Sequence, residues 1–379
     1  LSFVGLCLAT VVVIFWAEKL LKKSRLAIYL PFFFFANPML IYYAFEVRTY
    51  GWYIFFALLS MYAYLEKKWK LLIAASVLGF YTHSYFLFTI FVQVVHYSLV
   101  NYHKIFKKFS WKKFLSDRMV KSTLISSILI SPWFIKIIYE ASKLKSSWYY
   151  PVDLHLIKSV LGNMFINYQG TPWYLWKYTA YFSLLLLALF VIAMINPKKR
   201  VRNSYFLLNT IVPLVIVIGI SFIKPLFVNR YLIPSTISMV FLVVFSLEAI
   251  KNKLFRRSLG LLLAASVVIF NMWYPTKHAK LDIRSTISEI NSIRTKNDLI
   301  YASNSLILFE TIYYASNRDG VYLYNPNRSA FPWYVGEAAY SENLSTASLP
   351  VYPKKAFIVN KDGSYHVSYQ VPLIDSQNK

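Results

Sequence analysis

Over its first 274 positions the chain alternates long apolar runs with short, strongly basic interruptions. The runs fall near 1–17, 26–44, 50–65, 70–83, 84–100, 122–139, 173–195, 204–223, 231–250 and 258–274, a pattern that predicts ten membrane passes. Lys and Arg cluster at Lys19 to Arg25, Lys67 to Lys70, Lys104 to Lys121, Lys198 to Arg202 and Lys251 to Arg257. The positive-inside rule puts all of these clusters on the cytoplasmic side. That alternation works only if the run from Leu71 to Val100 is two short passes broken around Tyr81-Thr82-His83-Ser84, because one helix would put the most basic loop outside. Residues 70–83 would rise only about 20 Å as a helix, against a hydrocarbon core of roughly 30 Å. Broken backbone at that depth is tolerated beside protein or a water-filled cavity. His83 is therefore expected at the outer face. The same topology places Glu46 and Arg48, the loop from Glu140 to Pro172, the segment Lys224 to Arg230 and everything after Pro275 on that side.

From position 275 hydrophobicity falls and Asn, Ser, Asp and Gly become frequent. Helix-like stretches near 281–294 and 304–316, an apolar run at 298–302 and turn chemistry at Lys361-Asp362-Gly363 predict a small α/β domain with a hairpin. The fold class expected is a polytopic α-helical membrane domain over 1–274 followed by an extracytoplasmic α/β domain over 275–379. No internal repeat of 20 to 50 residues and no low-complexity tract interrupts this plan.

Composition agrees with the pattern. With 57% hydrophobic and only 15% charged residues, the chain carries more apolar surface than a water-soluble domain hides. The net charge of +25 suggests nucleic acid at first sight, yet the cations sit in short clusters between apolar runs and build no continuous basic face. No nucleic-acid partner is expected, and membrane lipids are. The single cysteine, Cys7, supports neither a disulfide framework nor zinc. Leu1 opens in the middle of an apolar run with no initiator Met and no charged leader, which reads as a chain lacking its true N-terminus.

Ionisable groups beside hydrocarbon cost a few kcal/mol each and default to a functional hypothesis. Between Arg25 and Glu66 only Glu46 and Arg48 are charged. In the membrane half, Glu46, Glu140 and Asp153 are the acidic residues expected to face outward, and Glu46 and Asp153 are the candidates for carboxylate chemistry. Glu46 could equally be a local partner that neutralises Arg48, and Asp153 a solvated loop residue. Arg48, Lys224 and Arg230 are the outward cations nearest helix ends. Arginine offers a planar fork that grips a phosphate bidentately, although an arginine at a helix end also snorkels without a ligand. His83 could bind a ligand, orient a carboxylate, or merely cap and pack. His96 and His103 fall toward the cytoplasmic side and receive no role. There is no Walker-type loop, His-Glu-x-x-His, Gly-x-Ser-x-Gly or Asp-x-Asp, so ATP-driven, zinc-protease, serine-hydrolase and sugar-nucleotide chemistries lack support.

Four features carry a family resemblance. They are Asn37-Pro38 followed by Tyr42-Tyr43-Ala44-Phe45-Glu46-Val47-Arg48-Thr49-Tyr50-Gly51, then Tyr81-Thr82-His83-Ser84-Tyr85, then Ser131-Pro132-Trp133, and last Arg230-Tyr231-Leu232 entering a late helix. In this order they resemble the polytopic C-type (GT-C) glycosyltransferases, in the prokaryotic branch similar to protein O-mannosyltransferases and lipid A aminoarabinose transferase. The resemblance implies transfer of one sugar from a polyprenyl-phosphate donor to an acceptor glycolipid, glycan or protein on the outer face, with inversion. It implies donor-phosphate binding by Arg48 and Arg230, with Lys224 as a further cation candidate, and a cavity lined by Tyr50, His83 and Tyr231. It also implies a catalytic acidic base in a first external loop, which would lie ahead of Leu1. No metal ligands are assigned, and a divalent metal is left open as a cofactor.

Two competing readings remain. A lipid or glycolipid transporter or flippase would perform no chemistry, but such proteins tend to show internal repeats and midplane polar residues, whereas here the polar residues are expected at one face. A degenerate, non-catalytic paralogue would keep the fold and lack the base.

Overall fold

The computed structural model describes residues 1–22, 24–46, 48–102, 110–143, 152–167, 175–277, 281–329 and 342–371. The chain divides into two compact units, Leu1–Thr276 and Lys277–Lys379.

The first unit is helical. Its first half contains α1 (Ser2–Leu20), α2 (Tyr29–Phe35), α3 (Pro38–Phe45), α4 (Tyr50–Leu65), α5 (Trp69–Thr82) and α6 (Leu87–Val100). Its second half contains α7 (Trp111–Ser116), α8 (Arg118–Lys143), α9 (Leu154–Ile166), α10 (Trp176–Met194), α11 (Arg200–Ile223), α12 (Ile233–Ala249) and α13 (Lys253–Lys277). Among the described residues six helices are long and apolar enough to cross a membrane: α1 and those formed by 118–139, 176–194, 197–223, 229–249 and 253–273. The pair α2–α3, bent by 44°, would make a seventh if it counts as one span. Helices occupy all the predicted passes, but those over 50–65, 69–82 and 84–100 are too short to meet the same test. The 16 residues of α4, for example, rise about 24 Å, less than the hydrocarbon core.

Local chemistry explains the breaks. Asn37 caps α3 by accepting the Leu40 N–H at 3.0 Å, and Pro38 occupies the first helical turn. A proline there disfavours helical geometry in the residue before it, so α2 must end and the chain must bend. At the second break, His83 takes an extended conformation (φ −157°, ψ 123°) between α5 and a single 3-10 turn, Ser84–Phe86, that leads into α6. The run from Leu71 to Val100 is thus two helices, as the charge alternation requires.

The loop predicted over Glu140 to Pro172 is corrected by the structure, which places α9 within it. Asp153 caps this helix, and Leu156, Ile157, Val160, Leu161, Met164 and Phe165 recur at helical spacing. Gly162 brings α9 against α10 so closely that an added Cβ would overlap the Thr179 carbonyl, and the Gly162 N–H donates to Ser183 Oγ at 2.8 Å. Small residues at such a crossing let backbones approach, as in membrane helix pairs.

At the centre runs α12, where every residue from Ile233 to Leu247 is buried. A helix apolar on all sides belongs in a core. Two of its hydroxyls meet a neighbour: Asn209 of α11 donates to the Pro234 carbonyl (3.2 Å) and Ser238 Oγ (2.7 Å), and Ser235 returns a bond to the Asn209 carbonyl (2.9 Å).

The basic clusters meet at one end of this bundle. Lys19 pairs with Glu66, Arg202 donates to the Leu20 carbonyl at 3.1 Å, and Lys199 and Arg202 both pair with Glu248. His96 bridges the Tyr64 hydroxyl (2.7 Å) and the Val201 carbonyl (2.9 Å), and the adjacent Tyr97 donates to Asp117 at 2.7 Å. Three carboxylates of the membrane half are thereby occupied holding the basic loops together. His103 lies outside the described residues.

Among its described residues the second unit forms a five-stranded sheet with two helices packed on a face of it. Strands β1 (Leu299–Ala302), β2 (Val321–Tyr324), β3 (Ser345–Thr346), β4 (Ala356–Val359) and β5 (Tyr365–Ser368) lie in the order β3-β2-β1-β4-β5. All pairs are parallel except β4–β5. Helices α14 (Ile283–Ile293) and α15 (Ser305–Tyr314) supply Ile283, Ile287, Ile290, Ile307 and Leu308 to a core with Ile300, Val321 and Phe357. The expected hairpin is the β4–β5 turn, where Gly363 adopts φ +85°, a conformation that favours glycine.

Candidate functional site

At the end of the bundle opposite the basic clusters, an aromatic cluster surrounds His83. The imidazole stacks on Tyr53 with ring centroids 4.7 Å apart and planes 11° from parallel. Tyr50 (5.7 Å), Tyr85 (5.7 Å) and Tyr231 (5.9 Å) complete the ring of neighbours, and Tyr85 and Tyr231 stack on each other at 3.7 Å. These side chains come from the start of α4, the α5–α6 break and the 3-10 turn Asn229–Leu232 that opens α12. His83 Nδ1 accepts the Tyr85 N–H at 3.3 Å. That bond selects the tautomer in which Nε2 carries the proton.

The charged candidates gather on this cluster. Glu46 ends α3, and its carbonyl accepts the Arg48 N–H at 2.7 Å in a tight turn. Thr49 ties that turn to the Thr82 carbonyl at 3.0 Å, next to His83. The Arg48 guanidinium reaches the Tyr50 hydroxyl at 3.4 Å, and no ion pair joins it to Glu46 among the described residues. Arg230 leans on the Tyr231 ring, its guanidinium carbon 5.6 Å from the centroid. Glu46 and Arg230 both lie in the neighbourhood of Tyr43, and Arg230 in that of His83. Tyr43 itself packs edge-on against Tyr50 at 5.3 Å. Glu46, Arg48, Tyr50, His83, Arg230 and Tyr231 thus form one connected set.

One candidate stands apart. Asp153 caps α9, accepting the Leu156 N–H at 2.8 Å, and no described contact links it to His83 or either arginine. Lys224 follows α11 as its C-cap and is exposed. Sequence reasoning missed Tyr53 and named Tyr85 only within the motif around His83. Tyr53 stacks on His83 and Tyr85 on Tyr231, and the buried Tyr53 hydroxyl has no hydrogen-bond partner among the described residues. An unsatisfied buried hydroxyl costs about 1–3 kcal/mol. The aromatic run Tyr50-Gly51-Trp52-Tyr53 offered no signal separating Tyr53 from ordinary packing.

A distant tether sets the position of α3. Asn37 is buried and, besides capping α3, donates to the Met164 (3.2 Å) and Phe165 (3.1 Å) carbonyls at the end of α9. Those are carbonyls a helix C-terminus leaves unpaired. The missed helix therefore anchors the segment that carries Glu46. Among the described residues no group of three or more His, Cys, Asp or Glu side chains converges, and no residue is assigned to a metal. Compared with known proteins, the chain matches no family model, no curated protein and no solved structure.

Proposed function

We propose that the protein is a membrane glycosyltransferase of the GT-C type, moving a sugar from a polyprenyl-phosphate donor to an acceptor at the extracytoplasmic face. The observation that carries this reading is the convergence of Arg48 and Arg230 on the His83 aromatic cluster, at the bundle end away from the basic loops. In this reading each predicted pass, short helices included, crosses or enters the bilayer. The 277–379 unit then lies outside the cytoplasm.

The chemistry follows from charge flow. A carboxylate takes the proton of the acceptor hydroxyl or amine, the acceptor atom bonds to the anomeric carbon from the face opposite the phosphate, and the carbon–oxygen bond to phosphate breaks. Polyprenyl phosphate departs, and the sugar is inverted. Negative charge grows on the bridging oxygen, so fixed guanidinium groups stabilise the transition state more than the bound donor. Arg48 and Arg230 take that role. Among the described residues Glu46 is the carboxylate of the cluster, and it is the one to test as proton acceptor. Tyr53, with its orphaned hydroxyl, and Tyr50 supply polar tips on an aromatic wall, a surface suited to a sugar ring.

The test uses membranes carrying the intact protein, incubated with polyprenyl-phosphate-linked radiolabelled sugars. Transfer of label from the lipid is the expected result. Arg48→Ala and Arg230→Ala should lower the rate by about a hundred-fold or more, the usual loss when a donor to developing charge is removed. Unchanged turnover in both variants, at equal protein level, overturns the assignment. Movement of the intact lipid between leaflets without cleavage of its sugar–phosphate bond would establish transport instead.

A further inference from the structure

The basic end of the bundle holds a second site, independent of the glycosyltransferase reading. Between the turn Arg25–Ile28 and the start of α13 lies a hollow of about 580 Å³. Its polar side is lined by Arg25, Lys253, Arg256 and Arg257, and its apolar side includes Ile28 and Leu261. The volume lies in the range of ligand pockets, roughly 300–1,000 Å³.

The charges here differ from the three cations at this end that are held by glutamates. Lys19, Lys199 and Arg202 each have a glutamate partner. Arg25, Lys253, Arg256 and Arg257 have no carboxylate within 4 Å among the described residues. Arg256 sends one N–H to the Ile250 carbonyl at 3.5 Å, while its Nε is buried without a partner. Four cations around one hollow repel each other unless an anion offsets them. The N-terminal end of α13, whose first amides are capped by Asn252, adds a positive helix end to the same field.

The apolar wall decides what kind of anion fits. Ile28 is 71% and Leu261 64% exposed, and Leu261 lies on a helix long and apolar enough to cross a membrane. A free phosphate would gain nothing from such a wall; acyl chains would cover it. We infer that this hollow binds the phosphate headgroup of an anionic phospholipid in the leaflet at the basic end, with the acyl chains running along Ile28 and Leu261.

The experiment counts retained lipid by native mass spectrometry on the purified intact chain titrated with phosphatidylglycerol, phosphatidylcholine or inorganic phosphate. Preferential retention of phosphatidylglycerol is expected. At about 1 kcal/mol of attraction per basic side chain, Arg256→Gln with Arg257→Gln should weaken that retention roughly thirty-fold and leave phosphatidylcholine unchanged. Arg25→Gln with Lys253→Gln should do the same, and neither of those side chains makes a described hydrogen bond, so this pair tests the idea even if Arg256 supports folding. Equal retention of phosphatidylglycerol by the Arg25/Lys253 variant and the parent overturns the proposal. So does its complete displacement by millimolar inorganic phosphate, which would assign the hollow to the free ion.

Discussion

Replacing Gly51 with alanine tests how closely α1 and α4 pack beneath the candidate site. A Cβ built on Gly51 falls 1.7 Å from the Ser2 carbonyl oxygen, and real Cβ atoms essentially never come closer than 3.0 Å. The two backbones must therefore part by more than about 1 Å. Gly51 lies in the first turn of α4, where N–H groups lack intrahelical partners, and its N–H instead donates to Ser2 Oγ at 2.9 Å. Parting the helices breaks this cap, worth about 1 kcal/mol, and adds overpacking strain of about 1–3 kcal/mol. Against this, alanine gains at most about 1 kcal/mol of helix propensity over glycine. The balance is a net loss of about 2 kcal/mol, or on the order of 5 °C in the melting temperature. Gly219 is the matched control, because nothing lies within 4 Å of a Cβ built there, near the C-terminal end of α11. Gly219→Ala should leave melting unchanged or raise it slightly. The assay is a thermal ramp of the detergent-purified protein followed by fluorescence-detected gel filtration. A Gly51→Ala protein that melts within a degree of the parent refutes the backbone contact. If it melts early, the Tyr50 and Arg48 side chains are displaced with the helix start, and any transfer activity should fall with it.

Two further substitutions probe contacts that no local pattern reveals. Asn37→Ala removes the α3 cap and both bonds to the end of α9, and should cost about 2–4 kcal/mol in the same thermal assay. Asn37→Asp keeps the cap oxygen but presents a carboxylate to two carbonyls, so it should be no better than alanine; recovery of stability in that variant would show that capping alone matters. In the second unit, burial alone would raise the Asp298 carboxyl, but hydrogen bonds from the Thr295 N–H and hydroxyl and the Lys355 N–H hold it below the usual carboxylate range. A depressed folded-state value means this stabilisation is complete above about pH 4, the unfolded value, and is lost as pH falls through the folded one. Hydrogen-exchange protection of the Thr295 and Lys355 amides should decline over that acidic window, and Asp298→Asn should flatten the decline; an unchanged slope in the variant would assign it to other groups.

Much of the helical layout was legible from local information. Run length, the spacing of Lys and Arg, and the cap-and-proline pair Asn37-Pro38 each act within a few residues, so they can be read in one dimension. The break at His83 was inferred the same way, from the charge of the flanking loops. In the second unit, the stretches near 281–294 and 298–302 and the Asp362-Gly363 turn became α14, β1 and the β4–β5 hairpin. The short strands β2 and β3 were not anticipated, because four- and two-residue segments carry too little alternation to stand out.

What sequence order leaves open is which distant groups meet. Asn37 finds its carbonyls 127 and 128 residues away, Lys19 finds Glu66 47 residues away, and His83 finds Tyr231 from a turn that opens another helix. Such pairings follow from packing free energy summed over the whole bundle, and no local window contains that sum. The same reason separates the candidates. Asp153 was a weaker candidate than Glu46 in sequence but still one on residue type and predicted side; the fold leaves Arg48 and Arg230 beside one aromatic cluster and uses Asp153 to cap a helix.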